Sequence, residues 1–475
     1  MVSRLSHSDA ARTFMVRVVI VPVLVAVSSA CAVRAPYTAP DTAPAALKNA
    51  DGELFQTVAY DPRWWQQFDD PVLEQLEGAA LNANYDLKIA TARLQQARAI
   101  FRDVDLDRFP TASVGGSVDR RERTIPGFTD KPITTTTYQA GFDAFWELDL
   151  FGGVRSAVRA AAATAQEFEA TLDDVRVTVA AEVAREYFEL RGLQQQLAVA
   201  ERSLDNQGQT LRLTRVRSTE GFGEELDVAS ASARVSAIRA SVPPLHAAIA
   251  QHMHRLAVLT GTRPGELTVD LSPRPYAPLA KALALGDPTV LLRRRPDIRA
   301  AERRLATAAA REGIAHADLF PRISISGFLG FLAGRGSVFG SADSRAWAVT
   351  PALSWVGFDL GSARARLRAA EASTREAAAA YEQTVLRAIE ETENALVGYR
   401  EQQRRLVALV DQERESTRAA AIARVRYREG VSDFLDLLDT ERTQLQAEDS
   451  VALAESGVFT SVVGVYKALG GIPIN

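Results

Sequence analysis

The chain carries the same long pattern twice. Asp86-Leu-Lys-Ile-Ala-Thr-Ala-Arg-Leu94 lies over Asp297-Ile-Arg-Ala-Ala-Glu-Arg-Arg-Leu305, 211 residues on, and Phe109-Pro110 lies over Phe320-Pro321 at the same offset. Trp146 and Asp149-Leu150 fall near Trp355 and Asp359-Leu360. Glu220-Gly221 and Leu226-Asp227 match Glu429-Gly430 and Leu435-Asp436, 209 residues on, and Leu259-Thr-Gly261 matches Leu469-Gly-Gly471. A common order at nearly constant spacing marks a tandem duplication. The period far exceeds that of a solenoid repeat, so each copy is one large structural unit.

Each copy reads alike. A helix comes first, at about 72–107 and 297–318, and stops at Pro110 or Pro321. Period-two alternation follows. Tyr138, Ala140, Phe142, Ala144, Trp146 and Leu148 share one face of a strand; Gln139, Gly141, Asp143 and Glu147 share the other, with Phe145 breaking the rule. In the second copy Ile323, Ile325, Gly327, Leu329 and Phe331 alternate with Ser324, Ser326, Phe328 and Gly330, and Trp347, Val349, Pro351, Leu353 and Trp355 repeat the pattern. Such dyads with aromatic residues near their ends resemble transmembrane β-strands, although a soluble hairpin would alternate too. Polar, glycine-bearing stretches at 119–131 and 333–345 suit exposed loops. Then come proline-free runs at about 154–219 and 363–428, rich in Ala, Glu, Arg, Gln and Leu. A helix of some 66 residues is about 100 Å long and needs partner helices along its length. Each run ends at a glycine, Gly221 or Gly430, and a second helix returns through 225–260 or 433–469.

Two strands per copy give four per chain. Four strands cannot close a barrel in lipid, where edge amides and carbonyls would lack partners, and closed membrane barrels start at about eight. Membrane strands therefore demand that several chains share one barrel, and the long helices make the same demand. Physics alone leaves dimer, trimer and tetramer open.

The start of the chain reads as an address. Arg4, Arg12 and Arg17 precede the apolar run Val18–Val27, which exits through Ser28-Ser29-Ala30 to Cys31, the pattern of a secretory signal peptide. The Ala-Cys junction resembles a bacterial lipoprotein processing site at which Cys31 is acylated. Ser28 stands where that motif usually has a larger aliphatic residue, and Ala30-Cys31-Ala32 also fits ordinary cleavage after Ala32. No later segment reaches 18 apolar residues, so no transmembrane helix is expected in the mature chain.

Several segments carry a family likeness. Trp64-Trp65-Gln-Gln-Phe68-Asp-Asp70-Pro71, Asn84-Tyr-Asp86-Leu87, Leu291-Leu-Arg-Arg294-Arg295-Pro296-Asp297-Ile298 and Arg426-Tyr427-Arg-Glu-Gly430 followed by Leu435-Asp436 resemble segments of outer-membrane efflux proteins, specifically the lipoprotein branch. Gly286-Asp287-Pro288 departs from the pattern, with an acid where the family has an aliphatic residue.

The resemblance implies an α+β membrane protein. Long helical hairpins would form a periplasmic α-barrel, and four transmembrane strands per chain would enter a 12-stranded barrel shared by a homotrimer. It implies a periplasmic membrane-fusion adaptor and an inner-membrane transporter of the RND type as partners, and the outer membrane of a Gram-negative bacterium as the location. Drugs or toxic compounds would pass through unchanged. The chain then divides into a signal segment 1–30, an extended segment 31–71 with a possible lipid anchor, and a first repeat 72–261 with β-hairpin 111–150 and helical hairpin 154–260. An equatorial linker 262–290 follows, then a second repeat 291–475 with β-hairpin 322–360 and helical hairpin 363–469. The same scaffold suits the exit duct of protein secretion or metal export. A soluble periplasmic coiled-coil scaffold explains the helices but not the alternating segments.

Among individual residues, Asp436 and Asp439 share a helix face beyond the second turn. By resemblance they would ring a closed periplasmic mouth, with Tyr427 and Arg426 offsetting their repulsion and Asp227 as the first-copy match. A ring of like charges is a cation-selective constriction. Gly221 and Gly430 suit left-handed turns, and by resemblance these turns, with Asp433, would dock the adaptor. Arg293, Arg294 and Arg295 read as bracing the helix that follows. His252 and His254, two apart, point in different directions on a helix and make a poor metal pair, and with His246 they read as ordinary helical histidines. A net charge of −4 gives no basic footprint for nucleic acid, and one cysteine with five histidines excludes a disulfide framework or cysteine-rich metal cage. No phosphate loop, nucleophile elbow or metalloprotease helix is present, so neither an active site nor a cofactor is expected.

Overall fold

The computed structural model describes residues 37–38, 47–50, 53–56, 58, 63–124, 127, 131–276, 279, 282–287, 290, 294–357 and 359–471. The signal segment, Cys31 and Arg293 lie outside the described residues. The chain forms two units. One comprises Gln95–Glu167 and Ala301–Tyr381, with Tyr37 and Thr38; the other comprises Asp41–Leu94, Phe168–Ala300 and Glu382–Asn475.

The first unit holds the sheet. β2 (Thr111–Arg123) and β3 (Ile133–Leu148) form one antiparallel hairpin, β5 (Arg322–Ala333) and β6 (Arg345–Ser354) the other. The two hairpins join through an antiparallel β3–β5 pairing, giving the order β2-β3-β5-β6. The register aligns like with like. Val114 pairs with Phe142, Phe142 with Leu329 and Leu329 with Trp347, so one apolar row crosses all four strands. All four of these side chains are exposed, Trp347 at 77%. The opposite face carries Ser113, Asp143, Ser324, Ser326 and Thr350. Phe328 lies on this polar face because Gly141 and Gly330 pair beside it. A Cβ on Gly141 would sit 2.8 Å from the Phe328 ring, and one on Gly330 2.9 Å from it. The ring covers backbone that the two glycines leave bare.

At the base of the sheet the duplication is visible in hydrogen bonds. Trp146 Nε1 donates to the Arg108 carbonyl at 3.0 Å, and Trp355 Nε1 donates to the Leu319 carbonyl at 3.1 Å. Phe151 stacks on Phe320 with ring centroids 4.9 Å apart.

The second unit holds the hairpin tips and a core of aromatic and apolar side chains. Where one opening helix is expected, two occur: α1 (Pro71–Ala83) and α2 (Tyr85–Leu106). Asp70 caps α1 in front of Pro71, its Oδ1 accepting from the Val72 amide at 2.9 Å. Asn84 breaks the run with ψ at 136°. Its Oδ1 accepts from the Asp86 amide at 2.7 Å, restarting the helix, and its Nδ2 donates to the Leu259 carbonyl at 2.9 Å. In the second copy α5 (Pro296–Ala317) starts beside Arg295, the position equivalent to Asn84. Arg295 is buried and does the same work with a longer arm. Nη1 donates to the Ala468 carbonyl at 2.6 Å, and Nη2 reaches Asp297 at 2.7 Å and Glu391 at 2.8 Å. In both copies a helix start is thereby tied to the end of the returning helix.

The long helices are α3 (Gly153–Thr219, 67 residues) and α6 (Leu360–Arg428, 69 residues), returning as α4 (Glu225–Leu259) and α7 (Phe434–Ala468). α4 continues through Pro243 and Pro244, which removes two backbone donors from its ladder. Ahead of α1, a turn of 3-10 helix at Trp64–Phe68 wedges aromatic rings among the helices: Trp64 stacks on Tyr466 at 5.6 Å and Phe68 meets Phe188 at 4.6 Å. Short strands β1 (Phe55–Gln56) and β4 (Leu283–Ala284) pair in parallel. Among the described residues no helix is long and apolar enough to cross a membrane.

Candidate functional site

The tips of the two helical hairpins gather most of the residues singled out in the sequence. Both turns use the same backbone device. Gly221 takes φ 79° and Gly430 φ 75°, the left-handed region open to glycine. The Phe222 amide then donates to the Arg217 carbonyl at 2.8 Å, and the Val431 amide to the Arg426 carbonyl at 2.8 Å, so each helix closes in a Schellman motif. The turns leave apolar side chains outside: Phe222 at 76% and Val431 at 66% exposure, with Leu226 and Leu435 also exposed. These are matching positions of the two copies.

The tips differ at the next helix start. Asp433 caps α7, its Oδ1 accepting from the Asp436 amide at 2.9 Å, whereas Glu224 at the start of α4 makes no side-chain cap. Phe434 turns inward against Tyr427, ring centroids 5.8 Å apart, and joins Leu211, Ala231, Val235, Ala423 and Leu437 in a core beneath the tips.

Tyr427 is expected among the constriction residues, yet it is only 3% exposed and belongs to this core. Its hydroxyl donates to Thr214 Oγ1 at 3.4 Å, Arg217 donates to its backbone carbonyl, and the Arg217 guanidinium lies 4.7 Å above its ring. An aromatic ring with so much apolar surface packs between the hairpins rather than facing solvent. A second polar link lies below. Glu441, buried, receives Arg424 Nε at 2.7 Å and also accepts from Gln207 and Thr210, so α7 is tied to both α6 and α3.

The two candidate gate acids stand apart from this core. Asp436 is exposed and makes no ion pair among the described residues; Asp439 is exposed and pairs with Arg442 at 2.6 Å. Asp227 is half-buried at the start of α4, its amide donating to the Glu224 carbonyl at 3.1 Å. Tyr427, Arg217 and Glu441 thus connect the hairpins, while Asp436 and Asp439 are left on the outside of the chain. The roles of Arg217 and Glu441 leave no signal in the sequence, where charged residues on a long helix look like any solvated face.

Comparison with known proteins bears on what such hairpins and such a sheet belong to. The sequence model of the outer membrane efflux protein family matches residues 76–262 and 288–471. The chain belongs to the outer membrane efflux protein family. The pyoverdine export outer membrane protein OpmQ of Pseudomonas putida is 32% identical over 456 residues, 93% of this chain and 94% of the relative. The antibiotic efflux pump outer membrane protein ArpC of Pseudomonas putida is 31% identical over 460 residues, 93% of this chain and 92% of the relative. A solved structure of the outer-membrane channel OprN is 49% identical and superposes with a TM-score of 0.90, covering 92% of this chain and 98% of that one. This efflux protein is thus an outer-membrane efflux channel, from a family of channels rather than enzymes.

Proposed function

We propose that three copies of this efflux protein pool their strands in a 12-stranded outer-membrane barrel and their helices in a periplasmic duct, and that small toxic compounds leave the cell through it unaltered. One observation carries the reading. The sheet of a single chain has β2 and β6 as open edges and a continuous exposed apolar row across its four strands. Such a sheet has a face for lipid and two edges that lipid cannot satisfy, which only further copies supply. The conduit's cargo is not narrowed by kinship. Relatives at nearly equal identity are named for pyoverdine export, antibiotic efflux and toluene efflux. That spread fits a duct that recognises little, its choice of cargo made by an adaptor and an inner-membrane transporter docked at the helical tips. Glycine turns at 221 and 430, flanked by exposed apolar side chains and Asp433, suit that docking. Acylation of Cys31 would add an anchor but is not needed for insertion through the strands.

The test is assembly and conduction together. Purified full-length protein, chemically crosslinked in detergent, should run as a trimer and give discrete conductance steps in planar bilayers. A Cys31→Ser form should still resist a high-salt wash of the outer membrane. A crosslinked species other than a trimer, or release of the serine form into the wash, would defeat the reading.

A further inference from the structure

One group of metal-binding side chains lies far from the tips and is unused by the transport reading. Glu186 and Glu189 stand three residues apart on α3 and share a face. His252 meets them from α4. Its Nδ1 is 2.8 Å from Glu186 Oε2 and 3.7 Å from Glu189 Oε2, and one donor atom from each of the three lies within 4.8 Å of the others. The second oxygens of both carboxylates turn the other way, to Arg185: Nη2 is 3.1 Å from Glu186 Oε1 and Nη1 3.6 Å from Glu189 Oε1. Glu182, one turn earlier on the same helix, is already held by Arg255.

We propose that Glu186, Glu189 and His252 form a site for a divalent transition-metal ion of the Zn2+ kind, which would staple α3 to α4 within the first helical hairpin. The donor chemistry favours such an ion: imidazole nitrogen suits Zn2+ and its neighbours, and two carboxylate oxygens complete three protein ligands with one place left for water. The geometry fits as well. Ligands at about 2.0–2.1 Å in a tetrahedron stand roughly 3.3 Å apart, and the Nδ1–oxygen separations of 2.8 and 3.7 Å bracket that spacing. Burial holds the cage: the Glu186 side chain is 10% exposed and that of His252 23%. Arg185, at 51%, is free to swing into solvent and leave the two negative charges to the cation. His254, two residues from His252, takes no part, because it leaves the helix in another direction.

The experiment uses full-length protein in detergent and Zn2+ alone, measured by equilibrium dialysis and by thermal unfolding. One ion should bind per chain with saturation, and the unfolding midpoint should climb with Zn2+ concentration. His252→Ala and Glu189→Gln should each weaken binding by at least about tenfold, since even residues behind a ligand set cost 10- to 100-fold when changed. His254→Ala should bind as the parent does. With Co2+ as the probe, a visible d–d band should appear and be lost in His252→Ala. If His252→Ala fails to fold, Glu189→Gln carries the same expectation, because among the described residues that carboxylate pairs with Arg185 and His252 alone. Binding undiminished in the His252 or Glu189 variants, loss of binding in His254→Ala, or no saturable uptake would each overturn the proposal and leave an ordinary hydrogen-bonded cluster.

Discussion

Single residues decide where this chain is strained. Glu77 lies in the middle of α1, fully buried, and among the described residues neither carboxylate oxygen has a hydrogen-bond partner. Burial raises its pKa well above the ordinary carboxyl value. The sign follows from linkage. A group whose folded pKa is raised adds most stability below its unfolded value, near 4.5, and that contribution is lost as pH rises through the folded value. Glu77→Leu should therefore stabilise the protein at pH 8 by on the order of 1–3 kcal/mol, the cost of an unsatisfied buried polar group. Glu77→Gln should fall between the two, because its amide stays unpartnered but carries no charge. Thermal unfolding of each form between pH 5 and pH 8 is the check, and parallel curves for glutamate and leucine would refute the account. The apolar spacing of Leu73, Leu76 and Ala80 made the helix legible from sequence, but not that Glu77 would be enclosed with them. A local period marks which residues share a helix face but not how deeply that face is enclosed.

At the scale of elements, what was legible follows the directness of the code. Strand alternation maps straight onto sheet faces, and the alternating segments lie in β2–β3 (111–148) and β5–β6 (322–354). Phe145 and Phe328 break that code. For Phe328 the reason is the Gly141–Gly330 pair, which depends on register between two hairpins nearly 200 residues apart. The helix break at Asn84 did leave a local signal, an asparagine cap two residues before Asp86, but continuous apolar spacing on both sides hid it. The β1–β4 pairing left no sequence signal, being only two residues long on each side. The glycine pair yields a prediction at this scale. A Cβ at Gly330 would lie 2.3 Å from the Ala140 carbonyl oxygen, which is backbone and cannot turn aside. Gly330→Val should push β5 from β3 and cost roughly 1–3 kcal/mol or more. The yield of heat-resistant, membrane-inserted oligomer should drop on gels of outer-membrane fractions. Phe328→Ala, which only uncovers the glycines, should cost less. Equal yields for parent and Gly330→Val would show that the register is not held there.

For the whole molecule, the decisive feature is how the tips divide their labour. The glycine turns and the two acids were legible as motifs, but the inward burial of Tyr427 was not, since an aromatic next to a turn suits a docking surface as well as a core. With Tyr427, Arg217 and Glu441 engaged between the hairpins, we propose that the outward acids Asp436 and Asp439 form the charged constriction. Three copies would bring six carboxylates to one mouth, and they are not equivalent. Asp436 has no ion pair among the described residues, whereas Asp439 is paired with Arg442, and at these exposures such a pair offsets charge only partly. Asp436→Ala should therefore lower cation selectivity, and Asp439→Ala, which leaves Arg442 without its ion-pair partner, should shift selectivity toward anions as well. The double change Asp436→Ala with Asp439→Ala should raise the conductance of the closed channel, the barrier having lost its charge and part of its bulk. Screening supplies an internal control: the Debye length is about 10 Å at 0.1 M salt and about 3 Å at 1 M. The selectivity differences should thus be large in dilute salt and shrink in concentrated salt, while the conductance gained from lost bulk persists. Reversal potentials in planar bilayers at the two concentrations separate these effects. Identical reversal potentials for the parent and Asp436→Ala at 0.1 M would place the constriction elsewhere along the duct.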